Sequence, residues 1–570
     1  MLQDLKSQSS GPLQSVLSRM LAIPKHGLIA LTLLVGFVLR LFWMLRMAPA
    51  ISFEAEYVRV AENLRAGLGL MSSYGGAETM YAPLYSILIA GFTLVARDAE
   101  FAAHLVSLLF GTLLIVPVYL ITLRVYGQRA AYLSAFLVAL HPLLIARSGS
   151  IYSEAVYPTL LMAALYWGIK SLELGSARYY FLCGAFFGLA YLTRPEAFAY
   201  PAFFAFVLFA MPLLTRKGFA TAIVAPGLVL AGFLLIAFPY ILFLRSHTGQ
   251  WRLEGKWNMN YTAGMRMHAG LNSPQAHYGI DQNQQEVGPL LDPERAAGYT
   301  PYPHGLRDKL SYMLFSIRKN RGTAYATFLS TVFGQPFLLI LIAIGLFRFV
   351  WSPQRLLHEF VLATMVLSIF ILVLTAHHVE LRYADPCLVL TIPWAAKGLV
   401  ELGAWAQSTA ESLIPNLVSR TTLVGIVAQL AICIPMLTLS FADTRSLTEF
   451  TIEGASYLDI KQAGLWLKNQ KPGEKRIAAI NAVVPLYAQG TLVQYPYAEP
   501  AQTFRYLDSR NVDFIALEGI GSDAFPTMAE WLTHGIPNPR ARLVYDSGGP
   551  AETRIEIYRW QESGGTAVGN

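Results

Sequence analysis

Charged residues are scarce in this sequence. They make up 14% of its 570 residues, whereas about a quarter of the residues in a soluble globular domain are charged. Hydrophobic residues make up 54%, and the mean hydropathy is +0.44. This composition excludes an ordinary soluble enzyme, and most of the chain is expected to lie in lipid.

Cysteine is scarcer still, with Cys183, Cys387 and Cys433 the three in the chain. All three fall in apolar segments, which excludes a disulfide framework and a paired-cysteine metal site. The phosphate-binding pattern GxxxxGK[ST] does not occur in the sequence, which argues against an ATP-driven pump. The net charge of +7 comes mostly from short loops between apolar segments, so it orients the protein in a membrane and does not indicate nucleic-acid binding.

Apolar runs long enough to cross roughly 30 Å of hydrocarbon recur from Leu28 to Phe441. They predict an all-α polytopic membrane domain over residues 27–445, after a cytoplasmic N-terminal segment of residues 1–26. About eleven transmembrane helices are expected, at residues 27–47, 101–124, 130–146, 155–170, 179–194, 197–214, 219–244, 325–347, 360–376, 384–400 and 422–441.

The last 125 or so residues differ, with mixed charge and ordinary amphipathic periods. Helices are predicted at residues 457–467, 503–507 and 528–532, and strands at 476–480, 512–517, 541–545 and 554–558. Residues 446–570 are therefore predicted to form a soluble α/β domain.

Charge placement sets the expected orientation. The apolar segment of residues 83–95 is short for a span, and if it stays at one surface, the basic loops all fall on one side, which is then cytoplasmic. The N-terminus is therefore expected inside and the C-terminal domain outside. The outer side would then hold the loops of residues 48–100, 147–154 and 245–322, the turn of residues 193–196, and the segment of residues 377–383.

Two of these outer loops carry carboxylates at the membrane face. Glu54 and Glu56 lie in the first loop, Glu54 sharing a helical stripe with Tyr57, and Glu154 lies at the mouth of a later span. Such a pair can divide deprotonation of an acceptor from binding of a cation or sugar. The alternatives are an interfacial helix with incidental carboxylates and a helix cap.

Cationic side chains surround these carboxylates in the outer segments. Each alone is typical of an interfacial anchor or a lipid headgroup contact, but together they could hold a phosphate. They are Arg147, Arg194, His247, Arg252, Lys256, His377, His378 and Arg382. The run from His377 to Glu380 also allows a divalent metal site, and no cofactor is otherwise indicated.

The motifs in the outer segments resemble a known family. They are Tyr81-Ala82-Pro83-Leu84-Tyr85, Ser148-Gly149 with Ser153-Glu154, and the run of residues 188–196, which ends in Thr193-Arg194-Pro195-Glu196. Their order resembles the GT-C glycosyltransferases of the protein O-mannosyltransferase and lipid A aminoarabinose transferase type, over about residues 27–400.

This resemblance implies a polyprenyl-phosphate sugar donor, an inverting displacement, and a first-loop carboxylate as general base. Glu54 matches the family's acidic position, but Phe53 stands where an Asp normally precedes it, so the base is Glu54 or Glu56. Glu154 matches the acidic position of the second loop. Tyr57, Tyr81 and Tyr383 join the cations as substrate-binding candidates, with the acceptor left open among lipid, glycan and protein. The expected location is the inner membrane of a bacterium, with the C-terminal domain in the periplasm.

Two other functions fit a polytopic chain. A transporter or lipid flippase predicts internal repeats and charges near the bilayer midplane, whereas the charges here cluster at one face. A non-catalytic scaffold that displays the C-terminal domain leaves the acidic loops unexplained. The sequence therefore favours the enzyme.

Overall fold

The computed structural model describes residues 25–46, 54–214, 219–281, 287–293, 305–327, 336–348, 352–375, 379–413, 421–448, 453–470 and 473–561. Its amino-terminal part is helical. The first helices are Lys25–Met44 (α1), Glu54–Arg65 (α2), Leu84–Ala96 (α3), Ala99–Leu113 (α4), Ile115–Tyr126 (α5), Gln128–Leu140 (α6), Pro142–Gly149 (α7), Val156–Leu174 (α8) and Ala177–Thr193 (α9).

The helical part continues to residue 448. After the short 3₁₀ turn Pro195–Phe198 come Ala199–Leu214 (α10), Phe219–Thr248 (α11), Trp257–His268 (α12), Ser273–Tyr278 (α13), Leu306–Thr327 (α14), Pro336–Phe347 (α15), Pro353–Thr375 (α16), the 3₁₀ turn Leu381–Ala384, Asp385–Leu413 (α17) and Thr421–Thr448 (α18).

Six stretches in the described residues are long and apolar enough to cross a membrane. They are Gly27–Met44, Ala99–Tyr126, Ala222–Thr248, Arg355–Thr375, Arg382–Leu413 and Thr421–Ala442. The pair α6 and α7, bent by 53° at its break, would be a seventh. The prediction of eleven transmembrane helices is therefore not confirmed. The prediction of a helical protein with several membrane spans is confirmed. Residues 83–95 form the short helix α3 as expected, and its position at the membrane surface stays a prediction.

The break between α6 and α7 explains why α1 buries a charged side chain. Pro142 lacks the N–H that would continue the hydrogen bonds of α6. Arg40, fully buried in α1, donates to the freed carbonyl oxygens of Val138 at 2.8 Å and Ala139 at 3.0 Å. Arg40 thus faces protein and satisfies the broken helix.

Close packing in the bundle depends on glycine. A Cβ added to Gly184 of α9 would lie 1.9 Å from the carbonyl oxygen of Val229 in α11. A Cβ added to Gly232 of α11 would lie 2.2 Å from the carbonyl oxygen of Phe181. The two helices therefore approach backbone to backbone, as small residues allow in membrane proteins.

The carboxy-terminal part is a small α/β unit that we call the C-terminal domain (residues 453–561). Its elements are Glu453–Lys468 (α19), Arg476–Ala479 (β1), Val483–Ala488 (α20), Thr491–Gln494 (β2), Pro500–Ser509 (α21), Phe514–Glu518 (β3), Pro526–His534 (α22), Ala541–Asp546 (β4) and Ile555–Trp560 (β5). The sheet order is β2-β1-β3-β5-β4, with β2, β1 and β3 parallel and β5 and β4 antiparallel. The four predicted strands and three predicted helices are confirmed within a few residues, whereas α20 and β2 were not predicted.

The edge strand β2 of the sheet contacts the segment between α2 and α3. The backbone N–H of Leu492 donates to the carbonyl oxygen of Ser73 at 2.7 Å, and the Tyr74 hydroxyl donates to Gln494 at 3.1 Å. Helix α13 contacts the same domain, since the Tyr497 N–H donates to the Tyr278 carbonyl oxygen at 2.8 Å. The C-terminal domain is thus seated directly on the loops that carry the candidate site.

Candidate active site

A cavity of about 250 Å³ lies where the ends of several helices meet. Its wall is formed by α2, the segment before α3, the turns after α7 and α9, the segment before α12, and α16. Seven of the predicted site residues line it: Tyr57, Tyr81, Glu154, Arg194, Lys256, Arg382 and Tyr383.

Glu154 and Arg194 form the ionic centre of the cavity. Arg194 Nη1 lies 2.8 Å from Glu154 Oε1, and Arg194 Nε lies 2.5 Å from Glu196 Oε1. The Glu154 side chain is only 3% exposed, so its charge needs this partner. The break between α9 and the following 3₁₀ turn at Pro195 lets both groups of the Arg-Pro-Glu motif face the same space.

Arg382 brings a second guanidinium to the same carboxylate. Its Nε lies 3.7 Å from Glu154 Oε1, and it also forms an ion pair with Glu380. Arg194 lies over the ring of Tyr383, 5.4 Å from its centroid. Two guanidinium groups thus share the buried Glu154, and each is also paired with a second carboxylate. Since a guanidinium has five N–H donors, both keep donors that could bind an anionic group.

Aromatic rings also line the cavity. The ring of Tyr57 packs edge-on against Tyr81, with centroids 5.3 Å apart, and against Tyr85 at 5.0 Å. The ammonium of Lys256 lies 4.8 Å from the Tyr81 ring centroid. Burial, and then the charge of Arg382, lower the pKa of Lys256 from its ordinary value.

The cavity has one apolar flank. Ile369, Leu372 and Val373 of α16 line it, and α16 contains one of the six apolar stretches of membrane length. A ligand seated here would meet both charged groups and hydrocarbon side chains. That combination matches an amphiphile with an anionic headgroup.

A carboxylate that sequence reasoning missed also lines the cavity. Burial, together with the nearby charge of Glu196, raises the pKa of Glu254 to about 7, while Lys256 acts in the opposite direction. Its signal was an acidic residue between the basic Arg252 and Lys256 in an outer segment with two tryptophans. A carboxyl with a pKa near neutrality in the wall of a cavity is a candidate functional group.

Glu56 is buried in the wall of a neighbouring cavity. Its carboxylate accepts the backbone N–H of Ser73 at 2.8 Å and also the Ser73 hydroxyl. Glu78, buried as well, accepts the backbone N–H groups of Met80 and Tyr81. Burial, and then the charge of Glu56, raise the pKa of Glu78 well above its usual range. The two carboxyls therefore brace the loop that presents Tyr81.

The remaining predicted residues lie elsewhere. Arg147 pairs with the buried Asp385 at 2.7 Å and does not line the cavity. His247 packs on the ring of Phe243 in the last turn of α11, and Arg252 donates to Gln250 at 2.7 Å. Neither of them lines the cavity.

Three predictions fall outside the described part of the chain. His377 and His378 lie outside the described residues, and so does the side chain of Glu54, whose backbone begins α2. Among the described residues, no group of three His, Cys, Asp or Glu side chains is placed to hold a metal ion. The metal site proposed from the sequence therefore stays a prediction.

Both the sequence and the structure are similar to those of known proteins. The sequence family described as dolichyl-phosphate-mannose-protein mannosyltransferase matches residues 81–243, which include Tyr81, Glu154 and Arg194. The structure is similar to the oligosaccharyltransferase AglB of Archaeoglobus fulgidus tethered with an acceptor peptide, with a TM-score of 0.60 and 14% identity over 94% of this chain and 74% of that one. It is also similar to ArnT from Cupriavidus metallidurans bound to undecaprenyl phosphate, with a TM-score of 0.54 and 13% identity over 93% of this chain and 97% of that one.

The chain has the GT-C fold. The resemblance expected from the sequence motifs is thereby confirmed. Another structure of A. fulgidus AglB, in complex with an inhibitory peptide and a dolichol-phosphate, matches with a TM-score of 0.58 and 14% identity over 93% of this chain and 74% of that one. The comparison with curated proteins found no match. At these identities the structural matches establish the GT-C fold, and the substrates must be argued from the cavity.

Proposed function

We propose that this GT-C protein is an inverting glycosyltransferase that moves a sugar from a polyprenyl-phosphate donor to an acceptor on the outer side of a membrane. One observation carries the proposal. Arg194, Arg382 and Lys256 line the same cavity as the apolar flank of α16. A polyprenyl chain is costly to remove from the bilayer, while its phosphate needs cationic partners, and this cavity offers both.

The reaction is a single displacement at the anomeric carbon of the donor sugar. The acceptor hydroxyl oxygen forms the new bond as its proton passes to a carboxylate, and the bond between the anomeric carbon and the phosphate oxygen breaks. Polyprenyl phosphate leaves with the added negative charge on its oxygens. Arg194 and Arg382 stabilise that charge as it develops, which is where electrostatic catalysis has its largest effect.

The base is proposed to be a first-loop carboxylate, Glu54 or Glu56. Both oxygens of Glu56 already accept hydrogen bonds from Ser73, which favours a positioning role for Glu56 and leaves Glu54 as the first choice. Glu154 is proposed to orient Arg194 and the sugar. The loss of a general base typically costs about 10² to 10⁴ in rate.

The test uses the full-length protein in lipid nanodiscs with defined polyprenyl-phosphate sugars. Release of polyprenyl phosphate and transfer of the labelled sugar are measured for the wild type, Glu54→Gln, Glu56→Gln and the double variant. His247→Gln is the control, because His247 lies on an outer segment but away from the cavity. Loss of transfer in Glu54→Gln or Glu56→Gln, with His247→Gln active, is expected. Movement of the intact donor across the bilayer without bond cleavage would instead support a flippase.

The proposed location is the inner membrane of a bacterium, with the cavity and the C-terminal domain on the periplasmic side. The basic loops that the positive-inside rule assigns to the cytoplasm support this orientation. Single cysteines at Asp98 and Gln128 should react from opposite sides with an impermeant thiol reagent. The three native cysteines are buried and give a low background. Labelling of both positions from one side would overturn the orientation.

A further inference from the structure

A second cavity of about 290 Å³ adjoins the first. The two share part of their walls, formed by Met80, Tyr81, Lys256, Asn260 and Arg382. The first cavity reaches the apolar flank of α16, whereas the second reaches the C-terminal domain. A ligand in the second cavity would therefore lie next to a ligand in the first, with only the shared side chains between them.

The C-terminal domain contributes to this cavity from the carboxyl ends of its parallel strands. Ile480 and Asn481 follow β1 directly, and Gln494 ends β2. In open α/β sheets, ligands bind in the crevice outside the carboxyl ends of parallel strands. The edge of the sheet where a ligand is expected therefore faces the second cavity, next to the proposed donor site.

Two amide side chains in the wall are held in fixed orientations. Gln494 Nε2 donates to the Ile480 carbonyl oxygen at 2.6 Å, and Gln494 Oε1 accepts from the Tyr74 hydroxyl at 3.1 Å. Asn481 Nδ2 donates to the buried Glu518 at 2.7 Å, and Asn481 Oδ1 accepts the Val483 N–H at 2.9 Å. Gln494 Nε2 also lies 3.5 Å from the Ala479 carbonyl oxygen. An amide has two N–H donors and two acceptor lone pairs, so Asn481 keeps one N–H donor and one lone pair, and Gln494 keeps one lone pair on Oε1. Polar groups fixed in advance in this way lower the entropic cost of binding a ligand.

The formal charges of the wall balance, because it has two carboxylates, Glu56 and Glu380, and two cations, Lys256 and Arg382. Glu380 is paired with Arg382, and Glu56 accepts hydrogen bonds from Ser73. The rings of Tyr74 and Tyr278 line the same cavity as the two amides. Such a wall favours a neutral ligand that offers many hydroxyl groups and also apolar C–H faces, which is the chemistry of a carbohydrate.

We infer that the second cavity is the acceptor site and that the acceptor presents a neutral carbohydrate there. This inference rests on the proposed glycosyltransferase function and names its acceptor class. The acceptor hydroxyl meets the donor sugar at the shared wall near Tyr81 and Arg382. Its oxygen bonds to the anomeric carbon, its proton passes to the first-loop carboxylate, and polyprenyl phosphate leaves into the first cavity.

The test compares Gln494→Met with a matched control, Gln502→Met. Gln502 belongs to the same domain but caps α21 and donates to the Asp281 carbonyl oxygen, away from the cavity wall. The probes are neutral di- and trisaccharides with a fluorescent label, and a serine- and asparagine-containing peptide serves as the alternative acceptor. Cleavage of the donor by water, measured without acceptor, reports on the donor site alone.

We expect transfer to the oligosaccharides, with Gln494→Met raising the acceptor KM by about tenfold, the effect of one lost hydrogen bond. Its donor cleavage by water should equal that of the wild type and of Gln502→Met, which also shows that it is folded. Tyr74→Phe, which frees the amide of Gln494 and keeps the ring, should change the acceptor KM in the same direction. Equal changes in donor and acceptor KM would overturn the inference.

The two proposals fail in different ways. Donor cleavage by the wild type with transfer to peptide and not to oligosaccharide would overturn the acceptor class alone. Absence of any donor cleavage by the wild type would overturn the proposed function, and the acceptor inference with it.

Discussion

Arg59 of α2 donates a hydrogen bond of 2.7 Å to the carbonyl oxygen of Pro485 in the C-terminal domain. The donor nitrogen, Arg59 Nη2, also lies 3.3 Å from the carbonyl oxygen of Leu486 and 3.1 Å from that of Gly490. Arg59 lies within one turn of Tyr57, which lines the donor cavity. The C-terminal domain is therefore tied to the helix that presents the site.

This contact predicts that Arg59→Met lowers kcat while leaving the donor KM close to that of the wild type. Arg59 is a positioning residue, and a small misplacement of catalytic groups can cost about 10²-fold in rate. Arg59→Lys should recover part of the loss, because an ammonium can bind one of the three carbonyls.

Arg510→Met is the control for this prediction. Arg510 joins the same domain to Asp292 and Leu291 in the long outer segment, away from α2. Steady-state kinetics of the three variants check the prediction. A loss of kcat as large in Arg510→Met as in Arg59→Met would show that general domain attachment, and not the position of α2, matters.

Glu254 predicts how donor binding depends on pH. Its pKa of about 7 means that it is neutral below that pH and ionised above it. A donor phosphodiester keeps one negative charge across this range, so ionised Glu254 repels it, and the donor KM should rise between pH 6 and 8. A repulsion of about 1 kcal/mol corresponds to a change of about fivefold.

The Glu254→Gln variant separates this effect from other ionisations. Its donor KM should be low and nearly constant over the same range, because the charge is absent. Initial rates at low conversion give the KM values. A wild-type donor KM that does not change with pH, or a Gln variant with an unchanged pH profile, would contradict the prediction.

How far the site could be predicted depended on the distance between partners in the chain. Tyr81, Glu154 and Arg194 lie in motifs that the sequence shows directly, and the structure brings them to one cavity. Arg147 is different, because its partner Asp385 is 238 residues away and starts a helix that reads as an ordinary apolar span. The burial of Glu56 likewise depends on Ser73, a loop residue whose role only the folded loop reveals.

The fold shows the same division between local and distant information. Strands such as β3 and β5 alternate or run apolar for five or six residues, so their pattern is visible. β2 has only four residues and follows the six-residue α20, and both are too short for a periodic signal. The number of membrane spans was less secure, because apolar stretches such as residues 195–210 and 337–347 form helices shorter than a full span.

Glu518 predicts a pH dependence of stability. Burial raises the pKa of Glu518 to about 8 from an ordinary value of 4.5, and the hydrogen bond from Asn481 acts in the opposite direction. The folded protein therefore holds one more proton than the unfolded chain between these values. Its stability contribution is full below about pH 4.5 and falls as pH rises toward 8, by about 1.4 kcal/mol per pH unit.

Thermal unfolding of the full chain between pH 5 and 8 checks this sign. The wild type should lose stability as pH rises, and Glu518→Gln, which still accepts from Asn481, should lose less and be the more stable of the two at pH 8. Glu552→Gln is the control, because Glu552 is exposed. A Gln variant that follows the wild type at every pH would show that Glu518 does not titrate in this range.

The Glu154 and Arg194 pair allows structural and catalytic roles to be separated. Removing one member of a buried ion pair takes the nearest partner from the other charge, which typically costs up to about 3 to 5 kcal/mol, whereas removing both costs less. Arg382, at 3.7 Å from Glu154, reduces this cost. Arg194→Met should therefore destabilise the protein more than the double variant Glu154→Gln with Arg194→Met. Donor cleavage should be lost in both, because the phosphate loses a cation in each.

Arg540→Met is the control for this prediction. It breaks a more exposed pair with Asp508, so it should cost less than about 1 kcal/mol of stability and leave donor cleavage unchanged. Recovery of donor cleavage in the double variant would mean that the pair serves folding alone, and that Arg382 and Lys256 hold the phosphate without Arg194.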